Sequence, residues 1–402
     1  MLKIGIECES IEGPESWGIG RIVKKLLEEI SRRPELANEF RFFLYFKSRI
    51  PDYPWLNSPI FVKKAVFNHS QILENLRMNS FSLYYYIFLP IKLWFEKLDL
   101  MFFPNYMLPI FFKGRSLVIL TEDIYYEINS GTLPWQYKLA YKIFAGWWAA
   151  RHATKIMAIS ETSKKEVSRL FNIDSARIVA NQLGVDHPKP VTPEPSPSAS
   201  YGASSYTSYI LYIGQAFPRR HLRETMLAFE LIAGQFPDLK LIAVGKDKYN
   251  PLLLENLKNG INRRIGREGI IYKEYVPENE LHQLYAGAKL LIYVSSKEAF
   301  GLPPLEALGY GVPAVVSDSE INHEIFGDNA FFVCPEDVRL SSVEALVEGL
   351  KTITPDSITT AIAEGLTDDI KREQIKKSAE RILEKYTWQG FTDRFLNLVS
   401  GH

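Results

Sequence analysis

The sequence predicts an α/β protein of two doubly wound, parallel-sheet (Rossmann-like) domains facing a cleft, and three observations predict it. Short apolar runs of strand length alternate with segments of helical period through both halves of the chain. Between the halves, Pro188, Pro190, Pro193, Pro195 and Pro197 are mixed with Ser196, Ser198, Ser200, Ser204 and Ser205. With almost no large aliphatic residue, that stretch buries little surface and reads as a linker. The chain of 402 residues, 46% of them hydrophobic, is long enough for about two full cores. The domains are therefore expected over 1–187 and 209–385, with the linker over 188–208. A last amphipathic helix over 386–402 is marked by Phe391, Phe395, Leu396 and Val399.

In the first half, Leu2–Ile6 reads as a buried strand. Gly13, Gly18 and Gly20 follow it and precede Ile22, Val23, Leu26, Leu27 and Ile30 at helical spacing. Strand, glycine loop and helix open a doubly wound domain and bring backbone N–H groups to where a phosphate would lie; glycines at such a place also serve turn geometry alone. Residues 40–46, 60–66, 98–103 and 116–120 read as further strands. The aromatic run 81–95, with Phe81, Tyr84, Tyr85, Tyr86, Phe88, Trp94 and Phe95, reads as buried core, a membrane-contacting face being the alternative. The strand at 116–120 runs into Thr121-Glu122-Asp123, at the carboxyl end where open α/β sheets bind ligands. A carboxylate there can accept from a sugar hydroxyl or take a proton; alternatively the two acids are a helix cap and its solvated neighbour. Residues 135–153 form a helix candidate, 155–159 a strand, and Ser160 the N-cap of a helix over 163–170.

In the second half, Tyr209–Ile213 opens the sheet and Gly214 to His221 follows at its carboxyl end. Two adjacent arginines, Arg219 and Arg220, beside a glycine turn suit a diphosphate, because guanidinium forks match phosphate oxygens and stay charged. A solvated basic loop is the other reading. Residues 239–244, 270–271 and 290–294 supply more strands, spaced by helices such as 281–286. The stretch 295–318 carries the densest chemistry. Pro303 and Pro304 suit the first turn of a short helix that Gly309, Gly311 and Pro313 end. Gly301 lets backbone approach the orphan N–H groups of that helix, which attract an oxyanion. Glu298 and Glu306 border the same volume. Two carboxylates repel a phosphate unless each is occupied by sugar hydroxyls, so the pattern suits a ligand with sugar at both ends and phosphate between. An ordinary strand-to-helix turn with two solvated glutamates is the bland alternative.

Lys+Arg and Asp+Glu both number 47, which removes the electrostatic case for a nucleic-acid partner. The two cysteines, Cys8 and Cys334, are too few for a disulfide framework or zinc site, and fit a reducing cytosol. The N-terminus lacks the apolar run of a signal peptide, and 81–95 falls short of the ~20 apolar residues a membrane span needs. No Asp-x-Asp triplet occurs, so a metal-bridged diphosphate has no evident ligands and no metal site is expected.

Glu-Ala-Phe-Gly-Leu-Pro-Pro-Leu-Glu-Ala-Leu, residues 298–308, resembles the E-x7-E segment of the retaining, nucleotide-sugar-dependent glycosyltransferases of family 4, whose fold is GT-B. The resemblance implies that Glu298 holds donor-sugar hydroxyls and Glu306 the ribose hydroxyls. It gives the sugar and diphosphate to the backbone of Phe300, Gly301 and Leu302. Gly18 and Gly20 match a glycine pair that faces the diphosphate, and Gly214 with Pro218-Arg219-Arg220 matches the family's Pro-Arg-Lys turn, Arg220 replacing lysine. Where the family carries His-Asp, this chain has Glu122 and Asp123. Ser160-Glu161-Thr162-Ser163 and Asn181 to Asp186 resemble the family's exit from the first domain, and the last helix is implied to cross back to it. The likeness covers nearly the whole chain, strongest over 209–335 and weakest over 47–97.

The activity so implied is transfer of a hexose, mannose in the similar polysaccharide-assembly mannosyltransferases, from a nucleoside diphosphate sugar to a hydroxyl of a glycan or lipid-linked acceptor. GDP-mannose is the favoured donor, with no cofactor and no metal. Glu298, Arg219, Arg220, Glu122 and Asp123 are the catalytic candidates; Gly18, Gly20, Gly214, Phe300, Gly301, Leu302 and Glu306 are the donor-binding ones. The expected place is the cytoplasm, with peripheral contact at the inner face of a membrane. Two alternatives stand: a sugar-nucleotide epimerase or phosphorylase on the same layout, and a non-catalytic sugar-nucleotide-binding subunit. Glu122 favours the latter, and the retained Glu298, Glu306, Arg219 and Arg220 argue against it.

Overall fold

The computed structural model describes residues 1–13, 18–67, 81–129, 134–186, 208–337 and 351–401. They fall into two compact units, Met1–Gly184 with Tyr386–His402, and Val185–Lys385. The linker expected over 188–208 lies, apart from Ser208, outside the described residues. The division falls at Gly184, a few residues before that stretch. Gly184 lies so close to the final helix that a side chain there would meet the Trp388 backbone at 2.2 Å, which ties the exit of the first unit to its last element.

The first unit is built on a seven-stranded sheet in the order β3-β2-β1-β4-β5-β6-β7. Its strands are β1 (Leu2–Glu7), β2 (Phe40–Phe46), β3 (Phe61–Ala65), β4 (Leu100–Phe103), β5 (Ser116–Ile119), β6 (Lys155–Ala158) and β7 (Ile178–Ala180). Every pairing is parallel, with Ile4 opposite both Phe42 and Leu100. Parallel sheets are covered on both faces, which is why β4, and β5 after its opening Ser116, read as apolar runs, and both strands are buried throughout. The final helix, Trp388–Ser400, packs within this unit: Phe395 meets Phe102 at 5.1 Å, and Asn181 donates to the Phe391 carbonyl while accepting from Arg394.

The second unit holds a six-stranded parallel sheet in the order β10-β9-β8-β11-β12-β13. Its strands are β8 (Tyr209–Ile213), β9 (Lys240–Val244), β10 (Ile270–Lys273), β11 (Leu290–Tyr293), β12 (Ala314–Ser317) and β13 (Phe331–Val333). In both sheets the strand order reverses near the middle, between β1 and β4 and between β8 and β11. Ligands of open α/β sheets bind outside the carboxyl ends at such a reversal.

Two expectations need correction. The single helix over 135–153 is instead α-helical over Trp135–Tyr141, π-helical over Lys142–Ala149 and α-helical again over Ala150–His152. Within the π-helical stretch Phe144 is stacked on Tyr86 at 3.8 Å. The run 81–95 is core on one face only: Tyr84, Tyr85, Leu89 and Leu93 are buried, whereas Trp94 and Phe95 are 58% and 82% exposed.

Candidate functional site

At the reversal in the second sheet, the loop after β8 and the loop after β11 are bonded to each other. Gly214 turns away immediately beyond β8, its N–H donating to the Val244 carbonyl at 2.9 Å. A single 3-10 turn, Pro218–Arg220, then presents both arginines. Arg220 donates to Glu298 twice, Nη2 to Oε1 at 2.9 Å and Nε to Oε2 at 3.2 Å. This is the fork-on-carboxylate geometry that only arginine supplies. Both side chains are largely covered, 17% and 13% exposed, and the guanidinium lies 5.4 Å from the centre of the Tyr293 ring. Ser296 N–H donates to the Arg219 carbonyl at 2.8 Å, and His221 Nε2 shares a short hydrogen bond with Ser296 Oγ. The Arg219 guanidinium lies over the Phe217 ring.

Charge follows from this packing. Burial pushes the Glu298 carboxyl up, but Arg220 and Arg219 outweigh it and hold it below the usual carboxylate range, with a Tyr293 hydrogen bond helping. Burial pulls the Arg220 guanidinium down, and the Glu298 charge more than restores it. The pair is therefore fully ionised at neutral pH.

The short helix Leu302–Gly309 begins where the sequence places it, with Gly301 as N-cap and proline in its first turn. Gly301 adopts φ +91°, a left-handed conformation that side-chain-bearing residues avoid, at the end of the helix where the first N–H groups lack intrahelical partners. Phe300 beside it is buried. Glu306 sits one turn in, 9% exposed, and accepts a 2.7 Å hydrogen bond from the Tyr285 hydroxyl. Tyr285 is itself stacked on Tyr310 at 5.6 Å and 6°, and Tyr310 bonds to His282. Ser317 Oγ accepts from Ser295 N–H and donates to the Ser295 carbonyl, closing β11 against β12 beneath the loop. The second unit thus gathers Gly214, Arg219, Arg220, Glu298, Phe300, Gly301, Leu302 and Glu306 around the carboxyl ends of β8, β11 and the helix that follows. The bland reading of two solvated glutamates does not hold, because neither is solvated.

In the first unit, Gly18 is the N-cap of the helix Ile19–Ser31, at φ +53°, and Gly20 is buried in its first turn. Glu122 opens the helix Glu122–Asn129 just past β5, and Asp123 follows it. Glu122 is 3% exposed and takes a short hydrogen bond from Ser163 Oγ, a residue expected only as part of a helix body. Burial, with the Asp123 charge adding to it, lifts the Glu122 carboxyl to about 8 against the Ser163 bond. It is a buried neutral acid at neutral pH, neither a solvated neighbour nor an open carboxylate.

Sequence reasoning missed Glu7. It ends β1 at the reversal of the first sheet, is fully buried, and accepts from Glu9 N–H at 2.9 Å, Tyr84 Oη at 3.0 Å and Asn105 Nδ2. Burial lifts it to about 8, partly offset by the Glu9 N–H. Its signal was its place as the last residue of the first strand, at a position where ligands bind. Tyr285 and Tyr293, which hold the two glutamates, were missed as well. Among the described residues no group of three or more His, Cys, Asp or Glu is placed to hold a metal ion.

Residues 198–382 match the glycosyl transferases group 1 family. The chain is similar to O-antigen chain mannosyltransferase B of Escherichia coli, 31% identical over 252 residues that make up 61% of this chain and 60% of that protein. It is also similar to O-antigen chain mannosyltransferase RfbU of Salmonella typhimurium, 23% identical over 52% of this chain and 54% of that one. The chain thus spans little more than half the length of these relatives. Among solved structures, WaaG, a glycosyltransferase involved in lipopolysaccharide biosynthesis, superposes with a TM-score of 0.68 over 99% of this chain and 100% of its own at 16% identity. HepE from Anabaena in complex with UDP-glucose gives 0.66 over the full length of both chains at 15%. These likenesses identify the fold as GT-B. The second unit thus resembles the group 1 glycosyl transferases, and the chain is similar to proteins named as O-antigen mannosyltransferases.

Proposed function

We propose that the protein is a retaining glycosyltransferase that moves mannose from GDP-mannose to a hydroxyl of a glycan or lipid-linked acceptor, without a metal. The observation that carries this is the ionised Arg220–Glu298 pair set beside the Gly301 helix terminus, with Glu306 held by Tyr285. An acidic residue for the sugar, two cations and backbone N–H groups for the diphosphate, and a second acid for the ribose match the parts of a nucleoside diphosphate sugar in order. As the sugar–phosphate bond breaks, negative charge grows on the leaving diphosphate. Arg219, Arg220 and the helix terminus stabilise it, and preorganised groups of this kind supply most of the rate in many transfer reactions. Glu298 accepts from a donor-sugar hydroxyl and lies near the carbon that becomes cationic. The mannose assignment draws on the relatives named as mannosyltransferases.

A non-catalytic sugar-nucleotide-binding subunit is the second reading, favoured by the burial of Glu122 at the place where the resembled family carries histidine. Thermal shift against GDP, UDP, ADP and dTDP, followed by turnover of GDP-mannose, separates the two. GDP at 100 times its Kd is expected to add about 2.7 kcal/mol, and turnover is expected to persist in excess EDTA. Stabilisation without any turnover supports the subunit, and loss in EDTA restored by manganese contradicts the metal-free mechanism.

A further inference from the structure

The turn after β8 and the loop after β11 are tied together twice. One tie is the fork of Arg220 on Glu298. Beside it, His221 Nε2 bonds to Ser296 Oγ, and the Ser296 N–H donates to the Arg219 carbonyl at 2.8 Å. The other ring nitrogen is engaged as well, His221 Nδ1 lying 3.5 Å from Glu224 Oε2. Hydroxyl, imidazole and carboxylate thus follow one another in a chain, and the donor-site reading uses none of the three.

The backbone fixes this chain of contacts from behind. His221 adopts φ +46°, a left-handed conformation uncommon outside glycine. It is the N-cap of the helix Leu222–Ile232, and its carbonyl accepts from both the N–H and the hydroxyl of Thr225 at 2.8 Å. Glu224, three residues on in the first turn, falls on the same side of the helix as the His221 ring. The side chains of His221 and Glu224 are 14% and 18% exposed, whereas Ser296 is open to solvent. The contacts therefore run from a covered carboxylate to an exposed hydroxyl, two residues before Glu298 at the carboxyl end of β11, where open α/β sheets bind ligands.

Charge decides what that hydroxyl suits. Burial pushes the Glu224 carboxyl up, but the bonds it accepts from His221, its own N–H and Arg223 outweigh it and hold it below the usual carboxylate range. A carboxylate only accepts, so Nδ1 carries a proton toward it. At Nε2 the ring has two forms. A neutral ring accepts the Ser296 proton; a doubly protonated ring donates to Ser296 Oγ and leaves the hydroxyl proton for a ligand. An anion selects the second form, which alone offers it both a donor and a positive charge. A hydroxyl whose oxygen already accepts a hydrogen bond is also the stronger donor.

We propose that Ser296 donates a hydrogen bond to the diphosphate of the nucleotide sugar, with its hydroxyl aimed by His221 and Glu224 as positioning residues. The inference rests on the donor-site reading and adds to the arginines a neutral donor, whose bond strengthens as negative charge grows on the leaving diphosphate. Titration with inorganic pyrophosphate and steady-state kinetics with GDP-mannose, on the full chain with the thermal midpoint as a control of folding, test it. Ser296→Ala is expected to weaken pyrophosphate about tenfold or more, the loss of one hydrogen bond to a charged group, and to lower kcat by at least the same factor. Ser296→Thr, which restores the hydroxyl, is expected to recover most of both losses. His221→Gln is expected to weaken pyrophosphate in the wild-type background and to add almost nothing in Ser296→Ala, because the ring acts through that hydroxyl. The exposed Ser296 variants carry the test alone should His221→Gln lower the thermal midpoint. The proposal is overturned by wild-type protein that does not bind pyrophosphate, by Ser296→Ala that binds it as tightly as wild type, or by losses in the double variant that simply add. Wild-type protein that turns over no GDP-mannose, yet loses pyrophosphate affinity in Ser296→Ala, supports the Ser296 contact and counts against the donor reading. Normal turnover with a silent Ser296→Ala overturns the contact and leaves the donor reading standing.

Discussion

Glu7 and Glu122 are buried carboxyls lifted from an ordinary value of 4.5 to about 8, and that links folding to pH. Between those values each is protonated in the folded chain and ionised in the unfolded one, so the folded state binds more protons. Their stabilising contribution is complete below about 4.5 and is lost as pH rises through about 8. One pKa unit is worth about 1.4 kcal/mol, so each group is expected to remove on the order of 5 kcal/mol across the window. Thermal unfolding should show a midpoint falling from about pH 5 to about pH 9, and Glu7→Gln and Glu122→Gln should each flatten the slope. Glu298 is held low, so its stabilisation disappears only on acidification and does not enter this window. A midpoint that is level in wild type would show both groups ionised. Tyr285 gives a second prediction, since its hydroxyl fixes one oxygen of Glu306 at 2.7 Å. Tyr285→Phe leaves that carboxylate without the bond, at a cost of about 1–3 kcal/mol. If Glu306 reads the ribose, titration should show Tyr285→Phe weakening GDP more than 2′-deoxy-GDP. Equal weakening of both would remove Glu306 from the ribose.

At the scale of elements, the strands and the Leu302–Gly309 helix were legible because their signals are local. Apolar runs such as Leu290–Tyr293 are bounded by turn residues, and Pro303 follows Gly301 at a helix start. The π-helical stretches, Tyr84–Phe88 and Lys142–Ala149, were not legible; they carry the stacked rings of Tyr86 and Phe144, distant in sequence. The exposed side of the 81–95 run was hidden as well: both of its faces are apolar, so periodicity does not say which one is covered. Gly301 supplies the prediction at this scale. At φ +91° an alanine is strained by roughly 1–3 kcal/mol. Gly301→Ala should therefore lower the thermal midpoint and weaken GDP binding together. An unchanged midpoint with unchanged affinity would show that the loop does not need this conformation.

For the whole molecule, two parallel sheets and the concentration of chemistry at the carboxyl ends of β8 and β11 could be read from spacing and composition. The division at Gly184 could not, since it depends on contact with Trp388, far along the chain. Nor could the bond between Arg220 and Glu298: each residue announced a ligand role separately, and nothing local in the sequence tells that they hold each other before any ligand arrives. That bond sharpens the central claim, because donor binding must share both groups of an ionised pair. Steady-state kcat and KM for GDP-mannose in wild type and Glu298→Gln, with GDP affinity by titration, tests it most directly. Gln keeps the size of the side chain and removes its charge, so kcat should fall by on the order of 10² or more while GDP affinity changes far less. A kcat within about threefold of wild type, less than ~1 kcal/mol of barrier, would contradict the account.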